Sequence, residues 1–146
     1  MTDLEKVRKD GSALQYIENP SLEVQLEAVR QNGNAIKFIE TPSDEIRLAA
    51  VRQGSWAIQY IKNPSIEVQL AAVQASGYAL QFIKNPSLAV QLEAVRHSGY
   101  AIYYIKNPSI EIQFEAVRQN VLAIHCIENP SEEVQLIAAL SKDYND

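Results

Sequence analysis

Residues 19–40 read NPSLEVQLEAVRQNGNAIKFIE, and the string returns as TPSDEIRLAAVRQGSWAIQYIK at 41–62, NPSIEVQLAAVQASGYALQFIK at 63–84, NPSLAVQLEAVRHSGYAIYYIK at 85–106 and NPSIEIQFEAVRQNVLAIHCIE at 107–128. All six prolines, at 20, 42, 64, 86, 108 and 130, follow one another at that step of 22. Self-similarity at such a period marks an array of stacked units, each too small to close a core alone. Within the unit, Pro20 lacks an N–H and drives Asn19 out of the right-handed helical region, which ends any helix before it. Ser21 can cap a new helix over 22–31, with Glu23 in the first turn where the helix dipole favours an anion. Gly33, with Gly11, Gly77 and Gly99, is expected to end that helix in the left-handed conformation. Ser55 and Val121 hold the same slot, and Gly54 suggests a turn shifted by one residue in the Trp56 unit. A second, shorter helix is expected over 34–40.

Helices this short fall below the ~12 to 15 residues needed for marginal stability in water, so burial against neighbours has to hold them. On a helical wheel Leu22, Val24, Leu26, Ala28 and Val29 cover one arc of the long helix, and Ala35, Ile36, Phe38 and Ile39 one side of the short one. Ile17, Ile39, Ile61, Ile83, Ile105 and Ile127 are expected to form a hydrophobic spine. The pattern predicts an all-α fold, a right-handed α-solenoid of about six 22-residue two-helix repeats plus terminal capping helices. It forms a single domain over 1–146: an N-terminal cap unit 1–18, repeat units 19–40, 41–62, 63–84, 85–106 and 107–128, and a C-terminal cap helix 129–146.

Two polar columns run through the units. Gln25, Gln69, Gln91, Gln113 and Gln135, with Arg47 in the series, lie near the apolar arc, and a buried amide has to be paired. One reading is that they bond the Asn-Pro or Gly turns and set the register between layers; the other is a polar ladder lining a groove. Arg8, Arg30, Arg52, Arg96 and Arg118 end the long helices, where dipole complementarity and an ion pair such as Glu27 with Arg30 account for them without a ligand.

The chain carries 13 basic and 18 acidic residues, a net charge of −5, which favours solubility and disfavours bulk attraction to DNA or anionic membranes. Cys126 is the sole cysteine, no secretory signal follows Met1, and no apolar run reaches the roughly 18 to 20 residues that span a bilayer. A cytoplasmic protein without membrane contact is expected. His97, His125 and Cys126 form no metal or nucleophile set: adjacent helical residues such as His125 and Cys126 point about 100° apart, and Cys126 holds a position taken as aromatic core. No glycine-rich phosphate loop is present. The expectation is no enzyme, with no catalytic residue, no metal and no cofactor.

In an array the constant positions build the stack and the variable exposed ones recognise. The position after the glycine slot varies most: Ser12, Asn34, Trp56, Tyr78, Tyr100 and Leu122. With residues three and six further on it forms an outward stripe, Trp56-Gln59-Lys62, Tyr78-Gln81-Lys84 and Tyr100-Tyr103-Lys106 in the three central units, while Glu18, Glu40 and Glu128 end the stripe in the outer ones. Two readings stand: the aromatics stack from layer to layer and cover the core edge, or they anchor a partner. Asn34 and Ser12 fill the slot without a ring, so the fold does not demand one. On the second reading these nine residues bind a protein partner, the aromatics as anchors and the lysines steering an acidic surface. The alternative is nucleic-acid binding through the same face, with bases stacked on the rings and phosphates tracked by lysine.

The motif NPSxEVQLxAVRxxGxAIxYI resembles the short bihelical repeats of the domain of unknown function 4116 family, found in bacteria and their phages. The likeness runs from about Leu4 to Leu140 and departs mainly at Ser55 and Val121. The family name carries no activity; the resemblance implies a phage or mobile-element protein that inhibits or modulates a bacterial host defence complex. The units are also similar in logic to HEAT-like repeats, whose stacks bind proteins or nucleic acids.

Overall fold

The computed structural model describes residues 1–143; the end of the expected C-terminal cap, Tyr144, Asn145 and Asp146, lies outside the described residues. Among these residues every regular element is a helix. The α-helices are α1 (Asp3–Lys9), α2 (Leu22–Gln31), α3 (Asp44–Gln53), α4 (Ile66–Ala75), α5 (Leu88–His97), α6 (Ile110–Gln119) and α7 (Glu132–Asp143). Between them lie six 3-10 helices, η1 (Gly11–Tyr16), η2 (Gly33–Phe38), η3 (Ser55–Tyr60), η4 (Gly77–Phe82), η5 (Gly99–Tyr104) and η6 (Val121–Cys126). The second, shorter helix expected over 34–40 is present as the six-residue 3-10 helix Gly33–Phe38, and each repeat has its counterpart.

The chain divides into two compact units, residues 1–75 and the part from Ser76 onward. In the first, α1 to α4 pack each on the next, as do η1 to η3, and every 3-10 helix also lies against the α-helix that follows it. The second unit repeats this scheme with α5 to α7 and η4 to η6. Helix-plus-turn layers meeting neighbour to neighbour are the architecture of an α-solenoid.

The Asn-Pro-Ser turn does what its chemistry dictates. Ser21 Oγ accepts the Val24 N–H at 3.3 Å, and Ser43, Ser65, Ser87, Ser109 and Ser131 cap their helices in the same way. Asn19, Asn63, Asn85 and Asn107 adopt φ of 48° to 52°, the left-handed region that a short amide side chain tolerates and that a following proline leaves open.

The glycine slot works differently from the expectation. No glycine has positive φ, and the long helix ends instead on an extended residue such as Asn32. Gly33 begins η2 and is needed for space: a Cβ there would stand 2.5 Å from the Ala50 carbonyl oxygen of the next layer. The same closeness lets Gln53 Oε1 accept the Gly33 N–H at 2.6 Å. Gln31 accepts from Gly11, Gln119 from Gly99, and His97 Nδ1 from Gly77 at a longer 3.4 Å. Where the slot holds Ser55 or Val121, the residue 20 positions on is Ala75 or Ser141 instead of Gln or His. Nor is the turn shifted at Gly54: η3 starts at Ser55, one full period after Gly33, and Gly54 stands in the place of Asn32.

The core is a ladder of small and branched side chains. Ala28, Ala50, Ala72, Ala94 and Ala116 are fully buried, as are Val29, Val51, Val73 and Val95, with Ile36, Ile58, Leu80 and Ile102 from the 3-10 helices. Of the isoleucines expected to form the spine, Ile61, Ile83, Ile105 and Ile127 are buried, while Ile17 and Ile39 in the first two repeats are half-buried. Leu22, assigned to the apolar arc, is half exposed: as the first residue of α2 it lies at the helix mouth, as Ile66, Leu88 and Ile110 do in theirs. Truncating Ile36 to alanine removes contacts from a site with no room to collapse, at a cost of about 2 to 5 kcal/mol.

Both polar columns are placed. Gln25 Nε2 donates to the Pro20 carbonyl at 2.8 Å, and Gln69, Gln91, Gln113 and Gln135 do likewise in their own units. They brace the capping turn within a layer; only Gln113 also reaches the next, accepting the Ser131 N–H at 2.9 Å. Register between layers belongs to the glycine clamps. Glu27 pairs with Arg8 of the preceding layer at 3.4 Å, not with Arg30, and Glu115 holds Arg96 at 2.9 Å while also meeting Arg118.

Candidate functional site

With three residues per turn, a 3-10 helix places positions i, i+3 and i+6 in one line, so each repeat sorts its short segment into three faces. Ser55, Ile58 and Ile61 are buried and form the core face. Ala57 and Tyr60 share the second face, and Trp56, Gln59 and Lys62 are all exposed on the third. The tighter pitch therefore aligns Trp56 with Gln59 more strictly than an α-helix would, and Lys62 follows just beyond the extended cap residue Ile61.

In the first unit the stripe is Trp56, half exposed, with Gln59 and Lys62. Gln59 Nε2 donates to the Trp56 carbonyl at 3.0 Å, so its amide serves the 3-10 helix itself. Gln81 does the same for Tyr78.

In the second unit Tyr78, Gln81, Lys84, Tyr103 and Lys106 are exposed, and Tyr100 is half-buried. Tyr103 is the most open ring of the stripe at 71 % exposure. Tyr78 does not stack on Tyr100. It meets Tyr104 of the next layer edge to face at 6.4 Å between centroids, and Tyr104 meets Tyr103 in the same manner at 5.3 Å. Edge-to-face contact is the favoured arrangement of ring quadrupoles, and here it joins three tyrosines into one cluster.

Tyr104 was missed as a site residue because the sixth position of each short helix, Tyr16, Phe38, Tyr60, Phe82, Tyr104 and Cys126, reads as core. It is a half-open side column instead: Tyr16, Tyr60 and Tyr104 are exposed, and Phe38, Phe82 and Cys126 half-buried. In the first unit Lys37 Nζ sits 5.9 Å from the Tyr60 ring centroid and 5.0 Å from that of Phe38, within cation–π range.

Two grooves open beside Tyr104 in the second unit. The larger, about 600 Å³, is walled by Tyr103 to Pro108 and by Cys126 to Asn129, with Gln113 among its lining residues. The smaller, about 390 Å³, shares Tyr104, Ile105 and Lys106 and is closed by Ile83, Asn85, Pro86 and Gln91. Lys62, Lys84 and Lys106 make no ion pair among the described residues.

Among the described residues no group of three or more His, Cys, Asp or Glu side chains could hold a metal ion, and no helix is long and apolar enough to cross a membrane. Comparison with protein-family models, with curated proteins and with solved structures gave no match to this chain.

Proposed function

We propose that this chain is a non-catalytic helical-repeat interaction protein that binds a protein partner through the outward face of its 3-10 helices. The observation that carries this reading is the exposure of Trp56, Tyr78 and Tyr103 at 50 %, 40 % and 71 % in a slot and stripe that Ser12 and Asn34 fill elsewhere without a ring. Tyrosine and tryptophan bring a large, stiff contact area at small entropic cost, which is why they anchor protein interfaces. Lys62, Lys84 and Lys106 extend the same stripes and steer an acidic surface toward it. The resemblance to the 4116 repeats extends the proposal: the partner is a bacterial host defence complex, which a phage or mobile-element protein of this kind inhibits or modulates in the cytoplasm.

The experiment is affinity capture from bacterial lysate, with and without nuclease, using the wild type, Trp56→Ala and the double variant Tyr78→Ala/Tyr103→Ala. The expected outcome is a discrete protein retained after nuclease treatment and lost from the double variant while its helical circular dichroism is unchanged. Capture that disappears with nuclease would instead support nucleic-acid binding. Capture indifferent to all three aromatic changes removes this face as the site.

A further inference from the structure

In the first unit, α2 and α3 enclose a shallow groove of about 490 Å³ lined by Leu26, Arg30, Glu45, Leu48, Ala49, Arg52 and the clamp residue Gln53, sharing no residue with the aromatic face. Two other end-of-helix arginines find a carboxylate 19 residues on, Arg8 with Glu27 and Arg96 with Glu115, and Arg118 meets Glu115 within its own helix. For Arg30 and Arg52 the corresponding residues are Ala49 and Ala71, and neither guanidinium makes an ion pair among the described residues. Two exposed guanidinium groups thus border one groove whose floor is aliphatic, with Glu45 the sole carboxylate against them.

We propose that this groove is a docking site for an acidic peptide segment of a partner protein, with Arg30 and Arg52 clasping carboxylates on either side of an aliphatic side chain seated on Leu26, Leu48 and Ala49. Charge complementarity selects the occupant. Guanidinium is the side chain best matched to a carboxylate, through two parallel hydrogen bonds, and its weak hydration makes it the natural partner at an interface. A nucleic-acid strand fits less well, because the lining holds no aromatic ring on which a base could stack. The substitution of alanine for the inter-layer glutamate both removes the internal partner and clears the floor.

The test uses the full chain and a fluorescein-labelled peptide with a Glu-Leu-Glu core, a Gln-Leu-Gln control and an oligothymidylate strand. Binding is followed by anisotropy and by NMR of the arginine side-chain Nε–H signals. The Glu peptide should bind saturably and shift the Arg30 and Arg52 signals, with Arg30→Gln or Arg52→Gln weakening it about tenfold. Ala49→Glu should silence the site by rebuilding the Arg30 pair. Arg52→Gln, at an exposed position, keeps the test valid if the Ala49 variant misfolds. Equal binding of the Gln control, or binding that survives both arginine changes, overturns the proposal. So does tighter binding of the oligonucleotide through the same two arginines, and so does the absence of saturable binding.

Discussion

The side-chain oxygen of Gln53 accepts the backbone N–H of Gly33 at 2.6 Å, one layer back. The bond exists because Gly33 has no Cβ, and the missing atom and the bond together set how closely two layers approach. Gly33→Ala should therefore cost about 1 to 3 kcal/mol through overpacking against the Ala50 carbonyl. Gln53→Ala should cost a similar amount by leaving a buried amide unpaired. Urea denaturation of the two single variants and the double variant measures both; a double variant much less destabilised than the sum identifies one shared device.

The same logic can be run forward. His97→Gln replaces the 3.4 Å contact to Gly77 with the shorter amide bond seen at the other glycines, and should stabilise by roughly 0.5 to 1.5 kcal/mol. Ser55→Gly with Ala75→Gln installs a clamp at a layer whose sequence lacks one, with a gain that neither change gives alone. Denaturation midpoints unchanged or lowered in both cases would show that the clamp follows the packing instead of directing it.

Gln113 is buried, at 6 % exposure, and is bonded at both ends of its amide, to the Pro108 carbonyl and the Ser131 N–H. Gln25 is half-buried and has only the Pro20 carbonyl. Replacement by leucine at 113 should cost near the top of the roughly 1 to 3 kcal/mol expected for stranded buried groups, and at 25 near the bottom. Equal costs in thermal or urea unfolding would contradict the inter-layer role of Gln113.

At the N-terminus, the Thr2 N–H donates to Glu5 and the Glu5 N–H donates to Thr2 Oγ1, a closed capping box. The backbone bond from Thr2, followed by its hydroxyl, holds the Glu5 carboxyl below its ordinary value. A carboxyl depressed in the folded state contributes stability above its unfolded pKa and loses it as pH falls through the folded one. Amide-exchange protection in the first turn of α1 should therefore drop on acidification through and below the ordinary carboxylate range. Glu5→Gln should remove that pH dependence.

Much of the fold was legible because prolines and serines act locally. The limits of α2, the serine caps and the alanine columns follow from Pro20, Ser21 and Ala28 without tertiary knowledge. The short helices were harder, since Ala35, Ile36 and Phe38 suit an α-helix and a 3-10 helix equally, and the choice is made by how few residues fit between Asn32 and the next proline. Gly33 misled for a plain reason: its position fits a left-handed cap, whereas its use depends on the Ala50 carbonyl and on Gln53, 20 residues away. The exposed stripe was readable from periodicity, but the Tyr78 to Tyr104 contact joins different repeats at different positions, and no single unit displays it.

The clamps and ion pairs reach fixed distances along the chain, 20 residues for Gly33 with Gln53 and 19 for Arg8 with Glu27. Recombination between two Asn/Thr-Pro-Ser stretches of the gene removes or adds whole 22-codon blocks in frame. Loss of residues 20–41 joins Asn19 to Pro42 and brings Gln53 to the Gly11 amide that Gln31 had accepted. The number of layers is in this sense a heritable variable, able to change in one event while the rules joining layer to layer stay the same.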